Sequence, residues 1–103
     1  MNATIEGKLP DIRALCAKYG VRKLSVFGSA TSDQFDPSRS DVDVLVEFQP
    51  MPPAQHADAY FGLVAELERL FGRPVDLVEA EAIDNPYFQR AVERSKTVLY
   101  DAA

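Results

Sequence analysis

The chain has 103 residues, enough for one hydrophobic core and too few for two, so residues 1–103 are expected to form one domain. With 47% hydrophobic and 26% charged residues it reads as globular, which argues against disorder. A net charge of −5 without any block of Lys and Arg argues against direct binding to nucleic acid, whose affinity comes from phosphate neutralisation, and leaves room for cations.

No apolar run approaches the roughly 20 residues of a membrane-crossing helix, and the opening MNATIEGKLPD lacks the apolar segment of a signal peptide. The lone Cys16 can form neither an internal disulfide nor a cysteine-based zinc site. The expected compartment is the cytoplasm, away from membranes.

In chain order, Ile12, Leu15, Cys16 and Tyr19 recur at helical spacing, with Pro10 and Asp11 suited to a first turn and Gly20 to a stop. This predicts a helix over residues 9–19. Leu24, Val26 and Phe27 read as a strand that runs into Gly28-Ser29. Residues 33–40 are rich in turn formers and read as a loop. Residues 41–48 alternate, with Val42, Val44, Val46 and Phe48 on one face and Asp41, Asp43, Leu45 and Glu47 on the other.

Pro50, Pro52 and Pro53 break the chain before a second amphipathic helix marked by Tyr60, Phe61, Val64, Leu67 and Phe71 and closed by Gly72. Residues 75–78 read as a short strand carrying Asp76. Asn85-Pro86 reads as an N-cap and first helical position, opening a helix to about Arg94, and residues 98–100 as a last strand. The order α-β-β-α-β-α-β predicts an α/β (α+β) fold: a small mixed sheet with helices packed on it.

Within that frame two aspartates share one strand face. Residues i and i+2 of a strand stand about 7 Å apart, and two ionised carboxylates at that distance repel unless something positive lies between them. Hard oxygen donors suit Mg²⁺, which is held by one or two carboxylates plus substrate phosphates. An exposed strand face that happens to carry acids is the alternative for a bare D-x-D, and an EF-hand fails on ligand spacing and on its central Gly. Gly28-Ser29 at a strand end suits a phosphate, because Gly allows close backbone approach and Ser offers a hydroxyl. Asp76, inside the apolar run Pro-Val-Asp-Leu-Val, is a third acid in an unusual place. Together they suit two-metal phosphoryl transfer.

Gly28-Ser29 followed by Ser40-Asp41-Val42-Asp43 and Val44-Leu45-Val46 resembles the signature of the DNA polymerase β-type nucleotidyltransferase superfamily. The small size and the segment Gly72-Arg73-Pro74-Val75-Asp76-Leu77-Val78 look most like its minimal nucleotidyltransferases, the MNT antitoxins of HEPN/MNT toxin–antitoxin pairs. The resemblance covers residues 21–100. It implies a nucleotidyltransferase-like fold and a metal-dependent transfer of AMP from ATP to a hydroxyl, a tyrosine of a HEPN-type helical toxin. It also implies that Gly28, Ser29 and Ser40 grip the nucleotide, while Asp41, Asp43 and Asp76 are catalytic and hold two Mg²⁺ ions.

Two features depart from the family pattern. Eleven residues lie between Ser29 and Asp41, one more than the commoner spacing, and Asp33 stands near where many members have Gly. Thr31 and Ser32 stand where many carry Arg, which shifts phosphate binding toward metal, backbone N–H groups and Arg39. A catalytically weak module that neutralises its toxin by contact is the competing reading, and the presence of all three acids favours the enzyme.

Larger relatives add a domain for the acceptor. Here the acceptor is expected to be a partner with its own docking surface, and the partner-free protein is expected to self-associate. His56 is expected to be a solvated helix-entry residue, Cys16 core, Glu47 rim, and Arg22, Lys23 and Arg73 solvated strand ends. Tyr60, Phe61, Tyr87 and Phe88 are expected in the core before any partner surface, although a 103-residue domain is hard pressed to bury all four.

Overall fold

The computed structural model describes residues 3–28 and 41–102. A short helix α1 (Ala3–Glu6), not expected from the sequence, precedes α2 (Leu9–Lys18) and strand β1 (Val21–Phe27). Strand β2 (Val42–Phe48) leads to the long α3 (Pro53–Phe71), then β3 (Val75–Glu79), a 3-10 turn (Ala80–Ala82), α4 (Pro86–Ser95) and β4 (Thr97–Asp101). The loop expected at residues 33–40 lies outside the described residues.

The strands form one mixed sheet in the order β3-β2-β1-β4. β1 pairs antiparallel with β2 and with β4, whereas β2 and β3 run parallel. Parallel neighbours need a crossover long enough to carry the chain back along the sheet, and the 19-residue α3 supplies it. α3 ends on Gly72, whose φ of 68° is open to glycine at little cost, and whose N–H closes onto Glu68 O. The Glu68 carboxylate then takes the Val75 N–H at 3.0 Å and so fixes where β3 begins.

Alternation along the strands sorts the side chains into two layers. Val42, Val44, Val46 and Phe48 bury against α2 and α3, with Ile12 and Cys16 from one helix and Ala59, Leu63, Leu67 and Phe71 from the other. Burial pushes the Cys16 thiol up to about 12, which fits a packed thiol with no redox task. Leu45 turns to the opposite face, where with Phe27 it meets Val92 of α4. α4 starts as expected: Asn85 Oδ1 accepts from the N–H groups of Tyr87 and Phe88 at 2.9 and 3.1 Å.

The aromatic expectation fails at three positions. Phe61 is 70% exposed, Tyr87 76% and Phe88 41%, while Tyr60 is half-buried. The buried stripe of α3 runs through residues 59, 63, 67 and 71, and two residues turn a helix about 200°, so Phe61 points away from Leu63. Phe88 reaches only the edge of Phe27, with ring centroids 6.0 Å apart. Tyr87 lies outside both layers, with the Arg90 guanidinium 5.4 Å from its ring.

His56 is not simply solvated either. Its Nε2 meets the Glu79 carboxylate, and its ring lies 5.0 Å from that of Phe48. Arg22 is exposed, as expected of a strand end, and pairs there with Glu47, while Arg73 Nε donates to Phe71 O at 3.4 Å.

Candidate functional site

Three strand ends converge on the face that carries α4. Phe27, the last residue of β1, is the register partner of Asp43 on β2, and Asp43 is in turn the register partner of Asp76 on β3. Register partners point to the same side of a sheet, and parallel neighbours are about 4.8 Å apart. The Asp43 and Asp76 carboxylates are therefore close neighbours on one face. The Val42 N–H donates to Pro74 O at 3.1 Å, locking the two strand starts against each other.

Asp43 is the corner of the arrangement. It is half-buried, while Asp41 and Asp76 are exposed. Burial, then the Asp76 charge, then the Asp41 charge hold its carboxyl above the usual carboxylate range. The charges of Asp76 and Asp41 thus both bear on Asp43.

Gly28 closes the fourth side. Its φ is 67°, and a Cβ there would stand 2.8 Å from Asp43 Oδ2, so a side chain would meet both backbone strain and the carboxylate. The Gly28 N–H points to Ser95 Oγ at 3.4 Å, which ties the end of β1 to the end of α4. Ser95 carried no signal in the sequence, because its place depends on how α4 packs. Glu68, which sets the start of β3 and with it Asp76, was missed for the same reason.

Ser29 and Ser40, both expected to grip the nucleotide, lie outside the described residues, as do Thr31, Ser32, Asp33 and Arg39. Glu47 shares the acid-bearing face of β2 but is turned into its pair with Arg22.

The donor set fits Mg²⁺. It consists of hard carboxylate oxygens, and its mutual repulsion is what a divalent cation relieves. Among the described residues, no three His, Cys, Asp or Glu side chains close into a ready metal cage. Among the described residues no helix is long and apolar enough to cross a membrane.

A family model described as "Nucleotidyltransferase domain" matches residues 12–99. A curated protein of Methanocaldococcus jannaschii, "Putative protein adenylyltransferase MJ0128", is 39% identical over 82 residues, 79% of this chain and 79% of its own length. A solved structure described as a "putative minimal nucleotidyltransferase" superposes with a TM-score of 0.74 at 28% identity, covering 91% of each chain. A chain from the complex of tri-AMPylated Shewanella oneidensis HEPN toxin with MNT antitoxin superposes at 0.64 and 17% identity, over 94% of this chain and 73% of that one. At that identity the likeness is one of fold.

Proposed function

The chain belongs to the nucleotidyltransferase domain family, and from that premise we infer that it moves AMP from ATP to a hydroxyl, a tyrosine of a HEPN-type helical toxin, and so acts as the antitoxin in the cytoplasm. The observation that carries this reading is the register pairing of Asp43 with Asp76 beside the Gly28 backbone. It brings two of the three acids together on one face, next to the end of β1. The relatives described as "putative protein adenylyltransferase" support a protein acceptor, and the fold shared with an MNT antitoxin complex is the reason for choosing a HEPN-type toxin.

Asp41, Asp43 and Asp76 would hold two Mg²⁺ ions. When bound, the ions supply charge neutralisation at the triphosphate. Gly28, Ser29 and Ser40 orient the phosphates, Gly28 by presenting backbone with no side chain in the way. Asp76, the more exposed partner of the Asp43–Asp76 pair, either ligates the second ion or accepts the proton of the incoming hydroxyl. With ATP and acceptor held in line, the hydroxyl oxygen bonds to the α-phosphorus as the bond to the β-phosphate oxygen breaks and pyrophosphate leaves, so the protein has little covalent chemistry left to perform.

The deciding experiment incubates the protein with Mg²⁺, ATP and a purified HEPN-type toxin. Label from the α position, and none from the γ position, should appear on a toxin tyrosine and vanish with chelator. Asp76→Ala should cut labelling by about a hundredfold or more while sparing toxin binding. A wild-type protein that silences the toxin without transferring label is a contact antitoxin, and this reading is then wrong.

A further inference from the structure

The strand that carries Asp76 lies at an edge of the sheet: among the described residues β3 has β2 on one side and no strand on the other. An edge strand presents a row of outward N–H and C=O groups that the sheet itself does not satisfy. Which groups these are follows from the strand pairing. The Val42 N–H donates to Pro74 O, so Pro74 turns its backbone toward β2, and by alternation so does Asp76. Val75 and Leu77, the residues on either side of Asp76, turn theirs outward.

Side chains of α3 meet both. The Tyr60 hydroxyl donates to Leu77 O at 2.5 Å, and the Val75 N–H donates to the Glu68 carboxylate at 3.0 Å. His56 meets the Glu79 carboxylate farther along the same strand. Residues 56, 60, 64 and 68 follow at four-residue steps and form one ridge of the helix, in which Val64 packs on the core. As the ridge rises from His56 to Glu68, its partners on β3 fall from Glu79 to Val75, so helix and strand run antiparallel. The ridge takes the place of a further strand. It brackets Asp76 from behind, because the Asp76 carboxylate turns to the α4 side with Val78. Burial, then Glu79, then Asp76 hold the Tyr60 phenol above its usual range, so the Asp76 charge is felt on the ridge as well.

We propose that Tyr60 and Glu68 are positioning residues for Asp76: by holding Leu77 O and the Val75 N–H they keep its carboxylate in register beside Asp43. With backbone groups fixed on both sides of it, Asp76 has no freedom to slide along β2, and a slip of one residue would turn it onto the α3 side. Precision here matters for rate, since a reacting group misplaced by about 1 Å costs on the order of a hundredfold. The consequence for rate rests on the reading of Asp76 as an acid that serves transfer; the hold on the strand does not.

Two measurements test this, and the first needs no activity. Amide hydrogen exchange, read by NMR on metal-free protein, compares wild type with Glu68→Ala and with Tyr60→Phe, which removes only the hydroxyl. Amides of residues 75–78 should exchange about fivefold faster or more in each variant, while those of Leu24 and Val26 on β1 stay within about twofold of wild type. No acceleration overturns the proposal. So does equal acceleration on both strands, which is a loss of global stability. The second measurement is the labelling assay run as steady-state kinetics. Both variants should lose about tenfold or more in kcat with the KM for ATP within about twofold, and Glu68→Gln, which keeps an oxygen for the Val75 N–H, should recover most of the loss. Faster exchange with unchanged kcat would leave the ridge a purely structural support and overturns the proposal too. A wild type that transfers no label sinks the transfer reading instead, and the exchange rates then decide by themselves whether Tyr60 and Glu68 hold Asp76.

Discussion

The two faces of the sheet differ in how they are closed. Under α2 and α3, strand side chains and helix stripes meet over an apolar layer in which Leu63, Leu67, Val42 and Val46 are fully buried. Under α4 the apolar cluster is small, centred on Phe27, Leu45 and Val92, and it gives way to Asp43, Asp76 and Gly28 at the strand ends. One face therefore holds stability and the other holds like charges that oppose it. A sheet of four strands can carry a repulsive site because its other side is fully packed.

The largest effect should separate the faces directly. Leu63→Ala empties a fully buried position of the α3 layer and should cost about 2–5 kcal/mol in urea unfolding. Val92→Ala, in the smaller cluster, should cost about 2 kcal/mol or less, since fewer carbons leave a less enclosed site. Equal losses would mean that α4 is as integral to the core as α3.

The next tests the point where the second face meets backbone. Gly28→Ala forces an L side chain into a left-handed conformation, at about 1–2 kcal/mol from the backbone alone, and drives its methyl against Asp43 Oδ2. Stability should fall, and affinity for Mg²⁺ with ATP should fall further because the carboxylate is displaced. Calorimetry of the folded variant separates the two. Retention of full affinity would show that the position of Asp43 is not set by the Gly28 turn.

Much of this division was legible in the sequence. The alternation of residues 41–48 assigned each β2 side chain to its face, and the odd placement of Asp76 in an apolar run marked the strand that pairs beside Asp43. Asn85 and Gly72 announced their caps because capping is local chemistry. The exposed aromatics did not yield to the same reading. Phe61 looks apolar in any window, yet the 100° step of a helix places it opposite Leu63, and only the packed stripe decides which face is inside. His56 and Glu79 lie 23 residues apart, so their pairing follows from the crossover and from no local pattern. Ser95 at the Gly28 turn is hidden for the same reason.

A smaller effect, of opposite sign, should come from Asp43→Asn in metal-free buffer. The substitution removes a charge that Asp76 and Asp41 both oppose and that burial disfavours. The melting temperature should stay level or rise slightly, on the scale of at most about 1 kcal/mol for a partly solvated charge pair. Leu63→Ala lowers it. A marked drop for Asp43→Asn would mean that the carboxylate makes native hydrogen bonds, and the contrast between a stabilising and a repulsive face would fail.

The smallest expected effect belongs to the closed side, where Glu66 of α3 bridges to α2. Its carboxylate accepts from the Tyr19 hydroxyl and from Lys18 Nζ, the latter at 3.0 Å. These two bonds, the Tyr19 one first, hold the Glu66 carboxyl below its usual range, and the same contacts raise both Tyr19 and Lys18. The sign follows from proton linkage. A depressed carboxyl contributes stability that is present above its unfolded value of 4.5 and lost as pH falls through the folded value. The raised Tyr19 and Lys18 contribute below their unfolded values of 10.0 and 10.5, and that share is lost as pH rises through their folded ones. Wild type should therefore be more stable than Glu66→Gln across neutral pH, by a margin that closes at both extremes. Denaturant midpoints measured for the pair at a series of pH values check it. A constant offset from acid to alkali would show that the glutamine loses packing between α2 and α3 and that the charge itself contributes nothing.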